Sequence, residues 1–302
     1  MRLFILTLIF GFSNLASAEY LFVETSFNPT KKWVTFSTEK KENFKNLFRM
    51  LIKSKTGHEL VRKANLKAKE YGTTLYGVVE EGEGSLTDTT LIRKFTTGLP
   101  DHITYETKSK VFLNKELSQY DALLDLAHEL THFVYRKNFN PYVKNFSLSE
   151  FISNTIEGVG GEVQAFMMEC KIHNELFPKK RSTRYNCQKI INPETGFLSF
   201  DLAVKQFYQV GDYFESFSAV LIERGIKDKF PEVSSSKVSF VSSAYGIPYP
   251  VAAFEEYLSV LNKVCQNDKK RISYFKKEAG RGPASLEKLE SSYNTRCNSV
   301  FN

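Results

Sequence analysis

Apolar residues along the chain change their spacing twice, and each change predicts a different kind of structure. Tyr20 to Thr38 mixes β-branched and aromatic residues around Asn28-Pro29, which predicts two short extended segments joined by a turn. From Lys41 to Ile52 the residues Phe44, Leu47, Phe48 and Leu51 recur at steps of three and four, the stripe of an amphipathic helix, and a second, basic helix is expected from Glu59 to Lys69. Between Gly72 and Asn114 the pattern becomes strand-like. Thr74 to Val79, Leu91 to Phe95 and Ile103 to Leu113 predict a small sheet, with turns at Glu81-Gly82-Glu83-Gly84 and Gly98-Leu99-Pro100-Asp101.

Helical spacing then returns and holds to the C-terminus. Ser118 to Arg136 contains no Gly or Pro, and Leu123, Leu126, Ala127, Leu130, Phe133 and Val134 cover more than one face, so this helix is expected to be buried on most sides. A loop around Pro141 follows. Ser147, with Glu150 three residues on, reads as a capping box that opens a helix reaching about Phe177. Beyond Pro178, Asp201 is placed to cap a helix carrying Phe207, Val210, Phe214, Phe217 and Leu221, and Val251, Phe254, Leu258, Leu261 and Cys265 repeat the spacing. The expected class is α+β: a small N-terminal sheet with its helices over 19–177, then a mainly helical region over 178–302.

Composition adds a compartment. The chain has 302 residues, 42% hydrophobic and 25% charged, which excludes a disordered or low-complexity protein. Arg2, the apolar run Leu3 to Phe12 and the sequence Ala16-Ser17-Ala18 form a signal-peptide pattern over Met1 to Ala18, so a secreted or periplasmic protein is expected. No later stretch approaches the ~20 consecutive apolar residues of a membrane helix, so no stable span is expected once the signal is removed. Cys170, Cys187, Cys265 and Cys297 are an even number in an exported chain, and pairing in sequence order, Cys170 with Cys187 and Cys265 with Cys297, closes the shortest loops. The net charge of +7 is mild and scattered; it suits an anionic envelope polymer without requiring one, and no nucleic-acid partner is expected.

The chemistry is carried by His128-Glu129-Leu130-Thr131-His132, an H-E-x-x-H string inside the buried helix. Residues four apart lie one above the other on a helix, so His128 and His132 can reach one metal ion while Glu129, one step round, flanks its open side. Zn²⁺ accepts neutral imidazole nitrogen. With a third protein ligand it keeps a position for water, whose pKa falls to about 7, where a neighbouring carboxylate can take the proton.

At these residues the chain resembles the zincin metallopeptidases. His-Glu-Leu-Thr-His is the string of thermolysin-like enzymes, and the resemblance runs from Lys110 to about Glu169. It implies a zincin-like α+β fold in which an edge strand, here Lys110 to Asn114, precedes the metal helix and pairs with an extended substrate. Asp125 departs from the pattern, which more often has Val or Thr there. Tyr135 and Asn138 stand where the metzincin subtype needs Gly and His, which leaves the gluzincin type with a carboxylate as third ligand. The helical run after the string offers Glu150, Glu157, Glu162 and Glu169. Glu162 is preferred, because Gly158, Gly160 and Gly161 before it would let two helix backbones approach closely or mark a break, and Glu162-Val-Gln-Ala165 has a gluzincin-like E-x-x-A form. Glu150 sits in a Glu-Phe-Ile-Ser-Asn segment that looks like the thermolysin ligand helix apart from Asn for Asp, and it remains the motif-based rival.

The resemblance thus implies metal ligands His128, His132 and Glu162, Glu129 as general base, and Zn²⁺-dependent hydrolysis of a peptide bond in a peptide or protein substrate. Other readings are a zinc amidase acting on cell-wall peptide and a zincin-fold binding module without turnover. A donor for the tetrahedral oxyanion is also needed, and Tyr142, Tyr245 and Tyr249 all lie in Pro-containing stretches. His58, His102 and His173 read as structural, the last on an exposed final helical turn. Substrate preference and oligomeric state leave no mark in the sequence.

Overall fold

The computed structural model describes residues 27–96, 99–143, 146–179, 185–277 and 283–301. The segment Met1 to Ala18, expected to be a signal peptide, therefore lies outside the described residues. The protein is α+β, a three-stranded sheet among helices that make up most of the chain. Helix α1, Lys40–Leu51, and helix α2, Lys55–Glu70, follow the predicted stripes, and Ser54 caps α2 by accepting a hydrogen bond from the Gly57 amide. Ahead of them Trp33–Thr35 forms one 3₁₀ turn where extended backbone was expected, and Lys32 makes an isolated bridge to Ser118.

The first predicted strand is displaced. Leu75–Val78 forms a single helical turn, α3, and strand β1 is Val79–Gly82. The apolar residues Leu75, Val78 and Val79 are all buried, a spacing that serves a helical turn leading into a strand as well as it serves a strand alone. Strand β2, Leu86–Thr96, and strand β3, Leu99–Asn114, form a long antiparallel pair, and β1 joins β3 in parallel, so the sheet order is β1-β3-β2. This order corrects the expectation for Lys110 to Asn114. Val111 faces Val79 on one side and Thr87 on the other, so the segment is central in the sheet and cannot accept a further strand. Among the described residues, β2 is the strand with an unpaired edge next to the helix that carries His128 and His132.

Helix α4, Gln119–Tyr135, starts at an N-cap Ser118 whose hydroxyl accepts from the Asp121 amide. Its Leu123, Leu124, Leu126, Leu130 and Phe133 are buried in a first core with α1, α2 and the inner strands. At roughly 2 kcal/mol for each buried Leu or Phe, this anchoring fixes the register of the polar residues between them. The long helix expected from Ser147 to Phe177 is two helices, α5, Leu148–Ile156, and α6, Glu162–Leu176. The break is the glycine-rich turn, where Gly160 has φ +73°. Helix α6 belongs to both cores: Ile172 packs in the first, while Val163, Phe166 and Cys170 pack in a second with α5 and the C-terminal helices.

A short turn, α7, Tyr185–Gln188, carries Cys187, whose disulfide to Cys170 ties it to α6. The next predicted helix is again two, α8, Phe200–Phe207, and α9, Phe214–Glu223, because Gly211 turns the chain at φ +54°. Ser199, not Asp201, is the N-cap of α8. Helix α10, Tyr249–Lys277, and helix α11, Pro283–Phe301, are joined by the Cys265–Cys297 disulfide. Both disulfides pair as expected, which is compatible with an extracellular location. Among the described residues, no helix is long and apolar enough to cross a membrane.

Candidate metal centre

Helix α4 supplies His128 and His132, one turn apart, and the residue that ends it, Arg136, continues the step of four. Each imidazole has its Nδ1 committed: His128 Nδ1 lies 2.7 Å from Glu169 Oε1, and His132 Nδ1 lies 2.7 Å from the Gly160 carbonyl oxygen. Such partners fix the ring orientation and leave Nε2 as the nitrogen for a ligand bond. Both Nε2 atoms face the same carboxylate. Glu162 Oε2 is 3.1 Å from His128 Nε2, and Glu162 Oε1 is 3.4 Å from His132 Nε2. Arg136 Nη2 donates to Glu162 Oε1 at 3.0 Å, and its Nε donates to the Gly160 carbonyl at 3.3 Å.

The glycine-rich turn explains how α6 reaches α4. A Cβ on Gly160 would stand 2.2 Å from the Arg136 amide nitrogen, so only glycine lets this turn touch the end of α4 and aim its carbonyl at His132. The Gly160 amide is in turn held by Gln164 Oε1 at 2.7 Å. The glycines therefore serve both roles that the sequence left open, close approach at Gly160 and a helix break between α5 and α6.

Glu129 is the third acid-base group of the H-E-x-x-H string and is itself buried. Ligand atoms of His128, Glu129 and His132 lie within 4.8 Å of one another, a group that could hold a metal ion. Proximity alone would admit Glu129 as a ligand, but its carboxylate is engaged elsewhere. The Thr87 hydroxyl on β2 lies 2.8 Å from both Glu129 Oε2 and the Glu129 carbonyl.

The field of the site is anionic. Burial pushes the His128 imidazole toward its neutral form, but the Glu162 and Glu169 carboxylates outweigh it and hold its pKa well above the usual histidine value. Burial likewise pushes Glu162 up, and the facing His132 and His128 outweigh it and hold Glu162 well below the usual carboxylate range. Asp125 is pushed up to about 6 by burial and the Glu169 charge, against a hydrogen bond from Ser85. Buried carboxylates around two oriented imidazoles form a donor set of the hard oxygen and borderline nitrogen type that suits Zn²⁺.

The remaining candidates fall elsewhere. The Glu150 side chain is exposed, with its backbone amide capped by Ser147 Oγ, and Glu157 accepts from the Tyr208 hydroxyl at 3.3 Å. His58 is exposed on α2, and the His102 side chain lies outside the described residues. His173 is wholly buried and pairs with the Tyr120 hydroxyl at 2.9 Å, so it is structural but not on an exposed turn as expected; α6 is covered by the first core there. Of the three tyrosines, Tyr142 is stacked under Arg93, and Tyr245 is 43% exposed with the nearby charges of Glu255 and Glu256. Tyr249, at the start of α10, hydrogen-bonds Glu162. Burial and then the charges of Glu162, Glu129 and Glu169 push its pKa well up, so it stays a neutral phenol able to donate.

Sequence reasoning missed Arg136, Thr87 and the role of Glu169. The first had a signal, since Arg136 continues the step of four set by His128 and His132. So did the third, since Glu162 and Glu169 are two helical turns apart on one face. Thr87 had none, because strand pairing brings it to α4. No family profile, curated protein or solved structure matches the chain.

Proposed function

We propose that this protein is a zincin-like, gluzincin-type peptidase of the secreted or periplasmic space that hydrolyses a peptide bond with Zn²⁺ held by His128, His132 and Glu162. The observation that carries this reading is the convergence of the two Nε2 atoms on the Glu162 carboxylate, with both Nδ1 atoms already committed. When bound, zinc lowers the pKa of water and polarises the substrate carbonyl. Every other part of the mechanism belongs to the chain.

Glu129 is the general base. Thr87 occupies Oε2, which leaves the other oxygen to take a proton from the attacking water and pass it to the leaving amine. Tyr249 is the donor aimed at the developing oxyanion, a role for a neutral phenol. Glu169 and the Gly160 carbonyl hold the imidazoles in the tautomer that presents Nε2, and Arg136 fixes one oxygen of Glu162. The unpaired edge of β2, beside Thr87, takes the place first expected of Lys110 to Asn114 and pairs with an extended substrate backbone.

The test is hydrolysis of casein and of peptidoglycan by the purified protein, with and without a chelator, alongside Glu129→Gln. The expected result is chelator-sensitive cleavage of casein, reduced roughly 10²-fold to 10⁴-fold in Glu129→Gln with its zinc content unchanged. Cleavage of peptidoglycan alone would move the substrate to wall peptide. Zinc binding without any hydrolysis would make the protein a binding module.

A further inference from the structure

The chain leading into α6 serves the two imidazoles twice in one short stretch: Gly160 gives its carbonyl to His132, and Glu162 turns its carboxylate to both Nε2 atoms. What joins these two residues is a tight turn. The Gly161 amide donates to the Gly158 carbonyl at 2.8 Å, and Gly160, third in that turn, has φ +73°, as a type II turn requires. Type I and type II turns differ by turning over the middle peptide, here Val159–Gly160, and both can keep the bond between their ends. The bond from Gly161 to Gly158 therefore does not choose between them.

Gln164 does. Its Oε1 accepts from the Gly160 amide at 2.7 Å, and that amide is the N–H of the middle peptide. The bond is also not an ordinary helix cap. Gly161 is the N-cap of α6 and has no side-chain partner, and a Gln at the third helical position commonly reaches back to the N-cap amide. Gln164 holds that position but reaches one residue further, to the residue that serves His132. Turning the middle peptide over would rotate φ of Gly160 by roughly 170°. The carbonyl that His132 Nδ1 and Arg136 Nε share would then lose the backbone that aims it.

Resting on the reading of His132 and Glu162 as metal ligands, we propose that Gln164 is a positioning residue for the metal. By holding the Gly160 amide it keeps the Gly160 carbonyl on His132 Nδ1, which fixes the tautomer that leaves Nε2 for a ligand bond. Gln164 belongs to the same helical turn as Glu162, so its bond also ties the carbonyl behind one ligand to the helix that carries the other. The two groups then move as one.

Two substitutions separate this role from that of a cap. Gln164→Met keeps the length of the side chain and removes the acceptor; Gln164→Glu keeps an acceptor oxygen. The side chain is half-buried, so both proteins should fold, as circular dichroism checks, and Gln164→Ala stands in for Gln164→Met if that one does not. In metal-free protein, nitrogen NMR of the imidazoles should show His132 as the Nδ1–H tautomer in the unaltered chain and in Gln164→Glu, and as a mixture of tautomers in Gln164→Met. His128, whose Nδ1 faces Glu169, should be the same in all three. Zinc affinity, measured by competition with a chromophoric chelator, should fall about 10-fold in Gln164→Met and return in Gln164→Glu. Neither measurement uses hydrolysis and the first needs no metal, so the proposal can fail while the peptidase reading stands, and the reverse. An unchanged His132 in Gln164→Met, with only a lower unfolding midpoint, would make Gln164 a helix cap and overturn the proposal. Equal disturbance of His128 and His132, or a loss that Gln164→Glu does not restore, would overturn it as well.

Discussion

Two clusters of buried charge hold this molecule together, and they are built on opposite accounting. At the first, Asp268 on α10 is 1% exposed, and both its oxygens are taken: Arg93 Nη1 from β2 and Arg296 Nη1 from α11 each lie 2.7 Å away. Tyr142 lies under the Arg93 guanidinium at 4.0 Å and gives its carbonyl to Arg296. The acid is matched in full by permanent cations. At the second, Asp125, Glu129, Glu162 and Glu169 surround His128 and His132, and Arg136 is a permanent cation bonded to Glu162. Carboxylates exceed fixed positive charge, and the imidazoles supply the deficit only when protonated. A cluster closed by arginines locks elements together; a cluster with surplus carboxylate has affinity for a divalent cation.

The contrast breaks most sharply if the central acid of each cluster is removed. Asp268→Asn should leave zinc stoichiometry untouched and destabilise the protein by about 3 kcal/mol, because two partly buried guanidinium groups lose their buried counter-charge. Glu162→Ala should do the reverse, abolishing stoichiometric zinc with little change in the unfolding midpoint of the metal-free protein. Metal analysis paired with urea unfolding reads both, and zinc loss from Asp268→Asn would erase the distinction. Next in size is Gly160→Ala, which forces a Cβ onto the Arg136 amide and a side chain into a left-handed turn. We expect destabilisation of about 2–3 kcal/mol, with weaker zinc binding because the carbonyl that orients His132 is displaced.

Smallest, and sensitive to pH, is Asp125. Its pKa is raised from 3.8 to about 6 in the fold, so the folded state favours the protonated form. Its contribution to stability is therefore complete below pH 3.8 and lost as the pH rises through about 6. In metal-free protein, Asp125→Asn should remove up to about 2 kcal/mol of this decline, seen as a flatter plot of unfolding free energy between about pH 4 and pH 7. A bound divalent cation should flatten the plot in the unaltered protein as well, because it favours the ionised carboxylate.

The parts of the site that were legible in the sequence are those whose geometry is local. A step of four on a helix places His128 over His132 without knowledge of the rest of the fold, and the apolar residues of α4 announce that the helix is buried. The choice of Glu162 over Glu150 depended on reading the glycine-rich turn, and the structure puts Glu162 against the imidazoles and Glu150 in solvent. What periodicity could not reveal was where helices stop inside an unbroken apolar stripe. The breaks at Gly160 and Gly211 are set by positive φ, while the apolar spacing runs through both. Sheet order was also hidden. Val111 and Thr87 carry no label saying which strand is central, and the edge passed from β3 to β2 because the short β1 pairs in parallel on the far side of β3.

The separations along the chain set an order of assembly. His128 meets Glu162 across 34 residues and Glu169 across 41, all within α4 to α6. Tyr249 arrives from the start of α10, well beyond the 17-residue loop that the Cys170–Cys187 bridge closes. Short loops close first, since closure entropy rises with length. During refolding, metal uptake should therefore precede docking of α10, giving an early species that holds zinc yet lacks its tyrosine. Stopped-flow refolding would resolve it as capture of a zinc-sensitive dye's metal before the burial of Tyr249.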